Sequence, residues 1–470
     1  MAIGASNTIH TAGQVSRTEQ RNYSTALITL TTLFFMWGFM TVMNDILIPH
    51  LRNIFELDFF RSMLIQTAFF GAYFVGSLIY FLISLKSGDP INKLGYKNGI
   101  ILGLIISATG SLLFYPATIL NIYGFYLFAL FVLGLGFTVL QIAANPYVAI
   151  LGAPESASSR LNLAQGFNSL GTTLGPIVGG VLIFKFFAGP EAVQIPYLIM
   201  AGMLLFLALI IKVSKLPEFT NEESMTSGSG ALKFPHLTLG MVAIFMYVGG
   251  EVSIGSILVN FFGLPNIAGM DEQAASGYLS LYWGGLMIGR FSGAIYLSEM
   301  NNQAKKFGMM GITALGAFAV IFLANYLKGD ISLFSLLPLL IFVILAFVLF
   351  VLGKSMASRT LYLFASISIF LLVITIFGSG PIAFWSVIGI GLFNSIMWSN
   401  IFTLAIDGLG KYTSQGSSLL VMMILGGAVI PPLQGLLADY LGIQWSFFIP
   451  VICYLYIFYY GLSGFKSTSK

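Results

Sequence analysis

The chain has 470 residues, 57% of them hydrophobic and only 8% charged, with a net charge of +4. Ordinary soluble domains carry roughly 25% charged residues, so this composition excludes a soluble protein and indicates a polytopic membrane protein. The small positive balance offers no footing for nucleic acid, and the single cysteine, Cys453, excludes an intrachain disulfide.

Residues 1–23 are polar and have no apolar core, so no cleavable signal peptide is expected. Crossing a bilayer takes about 20 apolar residues. Stretches that meet this need lie near 25–50, 61–85, 97–116, 122–151, 161–187 and 195–213. The polar segment Ser214 to Lys233 follows and reads as a linker. Further stretches lie near 236–263, 274–298, 305–326, 332–353, 359–378, 381–406, 415–438 and 443–463. With the N-terminus inside, 16 of the 21 Lys and Arg residues fall on inside segments. That bias needs an even number of spans and places both ends in the cytoplasm.

The parts before and after the linker look like repeats. GLGFTVLQIAANPYVAILG (134–152) is laid out like GLFNSIMWSNIFTLAIDG (391–408), and Gly171 and Pro176 answer Gly426 and Pro431. The offset there is about 255 residues, against about 211 for the first span of each part. An insertion of roughly 45 residues accounts for the difference, and the hairpin at about 303–353 has that size. The expected architecture is therefore an all-α polytopic membrane protein with fourteen spans. It comprises a cytoplasmic tail (1–24), a six-helix bundle (25–213), a cytoplasmic linker (214–235), a second bundle with the inserted hairpin (236–463) and a short cytoplasmic tail (464–470). The competing reading makes one apolar run a surface-lying helix, which breaks the even count. Internal repeats about a central linker are a common plan of secondary transporters, with the site at mid-depth.

Two carboxylates interrupt otherwise uncharged stretches. Asp45 shares a helix face with Trp37 and Thr41 at i, i+4, i+8, with Asn44 adjacent. Glu251 lies in YVGGEVSIGS, where Gly249, Gly250 and Gly255 leave room beside it. Ionised groups at bilayer depth are costly and usually functional. Each is therefore a candidate for binding H+ or Na+, against the plainer reading of an acid that tethers two helices. Gln141 and Asn145 share a face of the fourth span, and Asn162, Gln165 and Asn168 one side of the fifth. Asn394, Trp398 and Asn400 repeat the theme. Amides both donate and accept, which suits sugar hydroxyls, and an indole such as Trp37, Trp283 or Trp398 covers a sugar ring. The plainer reading is hydrogen bonding between helices. Gly171, Gly175 and Gly179, and likewise Gly285, Gly289 and Gly293, read as helix-packing faces. Arg290 is expected to anchor the inner end of its span. No zinc ligand set, phosphate-cradling loop or nucleophile elbow is present, so neither enzyme chemistry nor a cofactor is expected.

FFMWGFMTVMNDILIPHL, LQIAANPYVAILGAPESASSRLNLAQGFNSLG, YVGGEVSIGS, YWGGLMIGRFSG, GLFNSIM and GLGKYTSQGSSLL resemble the fucose/glucose/galactose permease family of the major facilitator superfamily. The resemblance runs from about 30 to 460, except for the hairpin. It implies a major facilitator fold, alternating access and cation-driven uptake of a monosaccharide across a bacterial inner membrane, with a monomer sufficient and lipid as surroundings. Fucose permeases carry an Asp in NDILIP, matched by Asp45, and a Glu in LETAANP, where this chain has Gln141. The glucose/galactose branch looks like LQVAANP there and has a Glu where Glu251 stands. That favours glucose or galactose over fucose and leaves H+ or Na+ open. The superfamily's loop signature survives only weakly, as Asn92-Lys93-Leu94-Gly95-Tyr96-Lys97, with Asn where an Asp is usual. The other readings are a fucose-type proton symporter, an amphiphile exporter, and, further off, a channel or nutrient sensor.

Overall fold

The computed structural model describes residues 24–87, 90–151, 157–186, 192–217, 230–296, 302–328, 336–354, 356–409 and 413–466. The N-terminal tail, most of the linker, the turn of the hairpin and the last four residues lie outside the described residues, as do the side chains of Asn92, Lys93 and Asn162. The described chain is helical, with no strand among the described residues. In hydrocarbon, a backbone satisfies its own hydrogen bonds only as a helix or a closed barrel. Long apolar runs punctuated by Gly, Pro and Asn loops take the first solution.

The first six long helices are α1 (Ser24–Ile54), α2 (Phe59–Ser87), α3 (Tyr96–Leu120, with a break at Leu113), α4 (Tyr123–Ile150), α5 (Ala157–Val181) and α6 (Gln194–Val213). Eight follow: α7 (Pro235–Phe262), α8 (Glu272–Tyr296), α9 (Gln303–Lys328), α10 (Leu337–Gly353), α11 (Ala357–Phe377), α12 (Gly380–Ile406), α13 (Thr413–Met422 continuing into Gly426–Leu441) and α14 (Ile443–Gly464). Twelve of these are long and apolar enough to cross a membrane by length and composition. The fourteen expected stretches are all helical, but α8 and α10 fall outside the twelve. α10 has 17 residues, about 25 Å at 1.5 Å per residue, short of a hydrocarbon core of about 30 Å. α8 is rich in Gly and Ser and carries Arg290. It is enclosed by other helices along most of its length, and a helix facing protein needs no apolar surface for lipid.

Packing repeats across the linker. α1 lies on α5 and α7 on α13; α2 lies on α4 and α8 on α12; α3 lies on α4 and α6, as α11 lies on α12 and α14. The glycine stripes are the contact surfaces. Gly171 faces the Phe35 carbonyl, Gly175 the Val42 side chain and Gly179 Met43, all on α1. Gly426 meets the Phe245 carbonyl of α7 in the corresponding place. The second stripe seats α8 on α12, with Gly285, Gly289 and Gly293 against Leu392, Ser395 and Ile396. A side chain at Gly171 collides with backbone, which cannot rotate away. Gly171→Leu is therefore expected to cost at least the upper part of the roughly 1–3 kcal/mol typical of overpacking, read as a fall of several degrees in Tm of the detergent-purified protein.

The two sets of helices, α1–α6 and α7–α14, meet along α1–α7, α2–α13 and α5–α8. The hairpin α9–α10 stands outside this arrangement, against α8, α11 and α12, with α9 also reaching α5.

Candidate functional site

Asp45 sits where the two sets of helices meet, and it is buried. Its Oδ1 accepts from Gln66 Nε2 of α2 at 2.9 Å and from the Ser256 hydroxyl of α7 at 3.1 Å. Its Oδ2 accepts from the indole Nε1 of Trp283 on α8 at 3.1 Å. One carboxylate thus ties both sets together through three donors. Gln66 also donates to Ser256 Oγ at 2.8 Å, and its own oxygen takes a long bond of 3.4 Å from Asn44. Asn44 is buried, and its Oδ1 has no hydrogen-bond partner among the described residues. Gly255 makes the Trp283 contact feasible. A Cβ there would lie 2.8 Å from the indole and 3.3 Å from Asp45 Oδ2. The room expected beside Glu251 therefore also serves Asp45.

Glu251 belongs to a different network. Tyr247, one turn earlier on α7, donates to its Oε1 at 2.6 Å, and Arg290 Nη2 lies 3.9 Å from the same oxygen. The other arm of Arg290 donates to the Ser169 hydroxyl of α5 at 2.8 Å. Arg290 therefore does more than hold a helix end: it spans α8, α7 and α5. Behind Glu251 a relay of side chains fixes the backbone. Tyr454 of α14 donates to Asn394 Oδ1 at 2.6 Å, Asn394 donates to the Tyr282 hydroxyl at 2.9 Å, and Tyr282 donates to the Glu251 carbonyl at 3.0 Å. Asn394 is thereby held on both its oxygen and its nitrogen.

Two turns before Asp45 on α1, Trp37 is half-buried and donates to the Tyr73 hydroxyl at 3.1 Å, which also lies within reach of Gln141 and Thr41. Gln141 is buried; Asn145 and Gln165 are half-buried. Asn145 Oδ1 is buried without a partner among the described residues, so an acceptor stands ready for a hydroxyl. Asn168 donates to the Phe34 carbonyl at 3.1 Å and pins α5 to α1. Asn400 likewise donates to the Ala357 carbonyl at 3.2 Å. Trp398 stacks on Phe402 one turn away, with ring centroids 5.0 Å apart. Gln66, Ser256, Tyr247, Tyr282 and Tyr454 escape a reading of the sequence. The spacings that carry a trace of them are Tyr247 and Glu251 at i, i+4, and Gln66 and Tyr73 two turns apart on α2.

At the end where α1 gives way to α2, the two sets are clasped. Asp439 of α13 accepts from the first amides of α2, Phe59 N at 2.7 Å and Phe60 N at 2.8 Å. This is a helix cap supplied from the opposite set. Asn53 donates to Glu272 nearby at 2.5 Å, and Gly180 packs on Ser276. Losing a cap costs about 1 kcal/mol, which is about fivefold in an opening equilibrium. Asp439→Ala should therefore raise maleimide labelling of a cysteine at Ser276, a buried position, about fivefold.

Among the described residues no group of three or more His, Cys, Asp or Glu is placed to hold a metal. What the site offers is two buried acids in separate networks, a set of amides and an indole on α1, α4 and α5, and helices in close contact through glycine. The Major Facilitator Superfamily model matches residues 26–361. The glucose/galactose transporter of Brucella abortus biovar 1 (strain 9-941) is 43% identical, over 99% of this chain and 99% of its own length. The putative glucose/galactose transporter of Helicobacter pylori (strain ATCC 700392 / 26695) is 38% identical, over 95% and 98%. The crystal structure of the E. coli fucose:proton symporter superposes with a TM-score of 0.63 and 27% identity, covering 94% of this chain and 99% of that one. Helix order, packing and these end-to-end likenesses agree: the chain is a multi-pass membrane protein of the Major Facilitator Superfamily, in its fucose/glucose/galactose permease family.

Proposed function

We propose that the protein is a proton-coupled importer of glucose and galactose, working by alternating access. The observation that carries this reading is Asp45, an intramembrane acid bonded to both sets of helices at once. Its charge state bears on the same contacts that must part when the carrier reopens. The resemblance to proteins named for glucose and galactose supports the sugar, and the 27% likeness to a fucose:proton symporter supports the ion.

The proton has a defined place. Trp283 Nε1 and Gln66 Nε2 are donors only, but Oδ1 alone also faces a hydroxyl able to accept, so the proton belongs on Oδ1. There Ser256 responds: its hydroxyl lies 2.7 Å from the Val252 carbonyl, so it can turn its hydrogen to Val252 and accept from Asp45. Two N–H groups and one hydroxyl around the carboxylate suit a proton better than Na+, which wants a shell of oxygens. Neutralising Asp45 removes a charge from bilayer depth, where it costs a few kcal/mol, and so lowers the barrier for the loaded carrier to close and reopen. Glu251, with Arg290 and Tyr247, acts as the second coupling group.

The sugar lies between Trp37, which covers the ring, and the amides of Gln141, Asn145 and Gln165, with Asn162 assigned to it from its place in the sequence alone. Asn44 completes the acceptors. Asn168, Asn394, Trp283 and Trp398 shape the wall from positions already engaged. The architecture we infer is two six-helix bundles, 25–213 and 236–463, joined by a cytoplasmic linker. The hairpin 303–353 adds two crossings to make fourteen. Both termini lie on the cytoplasmic side of the inner membrane, and the Asp439 clasp closes the outer face. The test is uptake of labelled D-glucose, D-galactose and L-fucose into proteoliposomes under an imposed pH gradient or an imposed Na+ gradient. Accumulation of the two hexoses under the pH gradient alone is expected. Accumulation under Na+ alone, or of fucose only, would overturn the ion or the substrate respectively.

A further inference from the structure

The hairpin has two unlike faces. On one, α9 is fixed to α8: Asn325 donates to the Ser280 hydroxyl at 3.1 Å, and Ile321 packs over Gly284. On the other, α9 and α10 diverge around an open cavity of about 470 Å³, within the roughly 300–1,000 Å³ of small-molecule sites. Its walls are apolar throughout, from Phe307, Gly311 and Leu315 on α9 to Ile344, Phe347 and Val351 on α10. Leu315 and Ile344 are 63% and 66% exposed. A Cβ added at Gly311 meets nothing within 4 Å, so the groove is open space there and not a close helix contact.

One mouth of this groove is basic. Lys305 lies on the first turn of α9, at the same end of the groove as Phe307, and Lys354 follows the last residue of α10, three residues after Val351; both are exposed. Lys306 is already spent, donating to the Tyr296 carbonyl at 2.9 Å. Arg359, on the first turn of α11 at the same end, has a buried Nε with no hydrogen-bond partner among the described residues.

We propose that this groove is a binding site for an anionic phospholipid, with one acyl chain between α9 and α10 and the phosphate at Lys305 and Lys354. The proposal rests on the reading that the hairpin crosses the membrane. In a bilayer an unfilled apolar groove forfeits dispersion contacts, and acyl chains are the abundant material that fits. Tails do not discriminate among lipids, since they are as apolar as the helix surface. Selectivity therefore falls to the headgroup, and lysines at the cytoplasmic boundary select negative charge.

The test uses the purified full chain in native mass spectrometry with phosphatidylglycerol and phosphatidylcholine of identical chains. The wild type should carry phosphatidylglycerol at least about fivefold over phosphatidylcholine, the attraction of roughly one lysine to an anionic lipid. Gly311→Trp should fill the groove and cut both adducts about fivefold. The double variant Lys305→Gln, Lys354→Asn should lose the preference and keep the adducts; Lys354 has φ 50°, a conformation asparagine tolerates. Equal occupancy by the two lipids in the wild type, or adducts unchanged in Gly311→Trp, would overturn the site. So would a dimer that Gly311→Trp dissociates, because the groove would then be covered by a second copy. Impermeant maleimide labelling of Tyr326→Cys and Met356→Cys reports the crossing separately, since Cys453 is buried. Labelling from opposite sides with no lipid preference defeats the lipid site alone; labelling from one side defeats the crossing.

Discussion

Asp45→Asn should abolish accumulation while sparing exchange. One pH unit stores about 1.4 kcal/mol per proton, enough for about tenfold accumulation of sugar at one proton per sugar. The wild type should approach that ratio in proteoliposomes, and the variant should stop at equal concentrations inside and out. Counterflow of labelled sugar against unlabelled sugar should persist within about tenfold of the wild-type rate. The reason is geometric. An amide at position 45 can place its oxygen toward Trp283 and its NH2 toward Ser256, as the protonated acid would, once the Gln66 amide, which donates to the same oxygen of Asp45 at 2.9 Å, turns over to present its oxygen. Trp283→Phe provides the control, because it removes the 3.1 Å indole bond and leaves the charge. It should slow transport and keep accumulation. Loss of counterflow in Asp45→Asn would make Asp45 a sugar ligand or a structural tether and not a coupling group.

The second large effect concerns Arg290. Glu251 is 8% exposed, and the guanidinium 3.9 Å away is the cation set against it. Removing one partner of a buried pair costs roughly 3–5 kcal/mol. The length of this contact and the partial exposure of Arg290 argue for the low end. Arg290→Ala also severs the bond to Ser169 on α5, so transport should fall at least a hundredfold along with Tm. Glu251→Gln combined with Arg290→Ala should recover most of the lost Tm without recovering accumulation. Recovery of both would assign the pair to stability alone. No loss of Tm in Arg290→Ala would show that Glu251 does not depend on it.

What the sequence reveals about this site follows a physical pattern. Asp45 and Glu251 stand out because a charge in an apolar run is conspicuous in one dimension. The glycine stripe 171, 175, 179 is legible for the same reason: its period is the helix period, and the helix it meets is α1. The partners of Asp45 are not legible. Gln66 and Ser256 are ordinary polar residues 190 positions apart that touch only after the two sets of helices meet. Arg290 looks like an end anchor from its place near a span's terminus. In the fold, α8 presents it to α5 and α7, where Ser169 and Glu251 lie. α8 is also where an apolar-length criterion and the helix itself part company, since a helix enclosed by protein is free to carry Gly, Ser and Arg. The amides divide in a way that spacing cannot show. Asn168 and Asn400 are committed to backbone carbonyls, while Asn145 keeps an acceptor open among the described residues.

The most direct test of the account is whether sugar carries protons with it, and whether Asp45 is the reason. Adding D-galactose to proteoliposomes loaded with a pH-sensitive dye, with no imposed ion gradient, should acidify the interior of wild-type vesicles. It should leave Asp45→Asn vesicles unchanged while labelled galactose still equilibrates. Acidification of equal size in the variant would contradict a coupling role for Asp45, and galactose entry without acidification in the wild type would contradict proton symport itself.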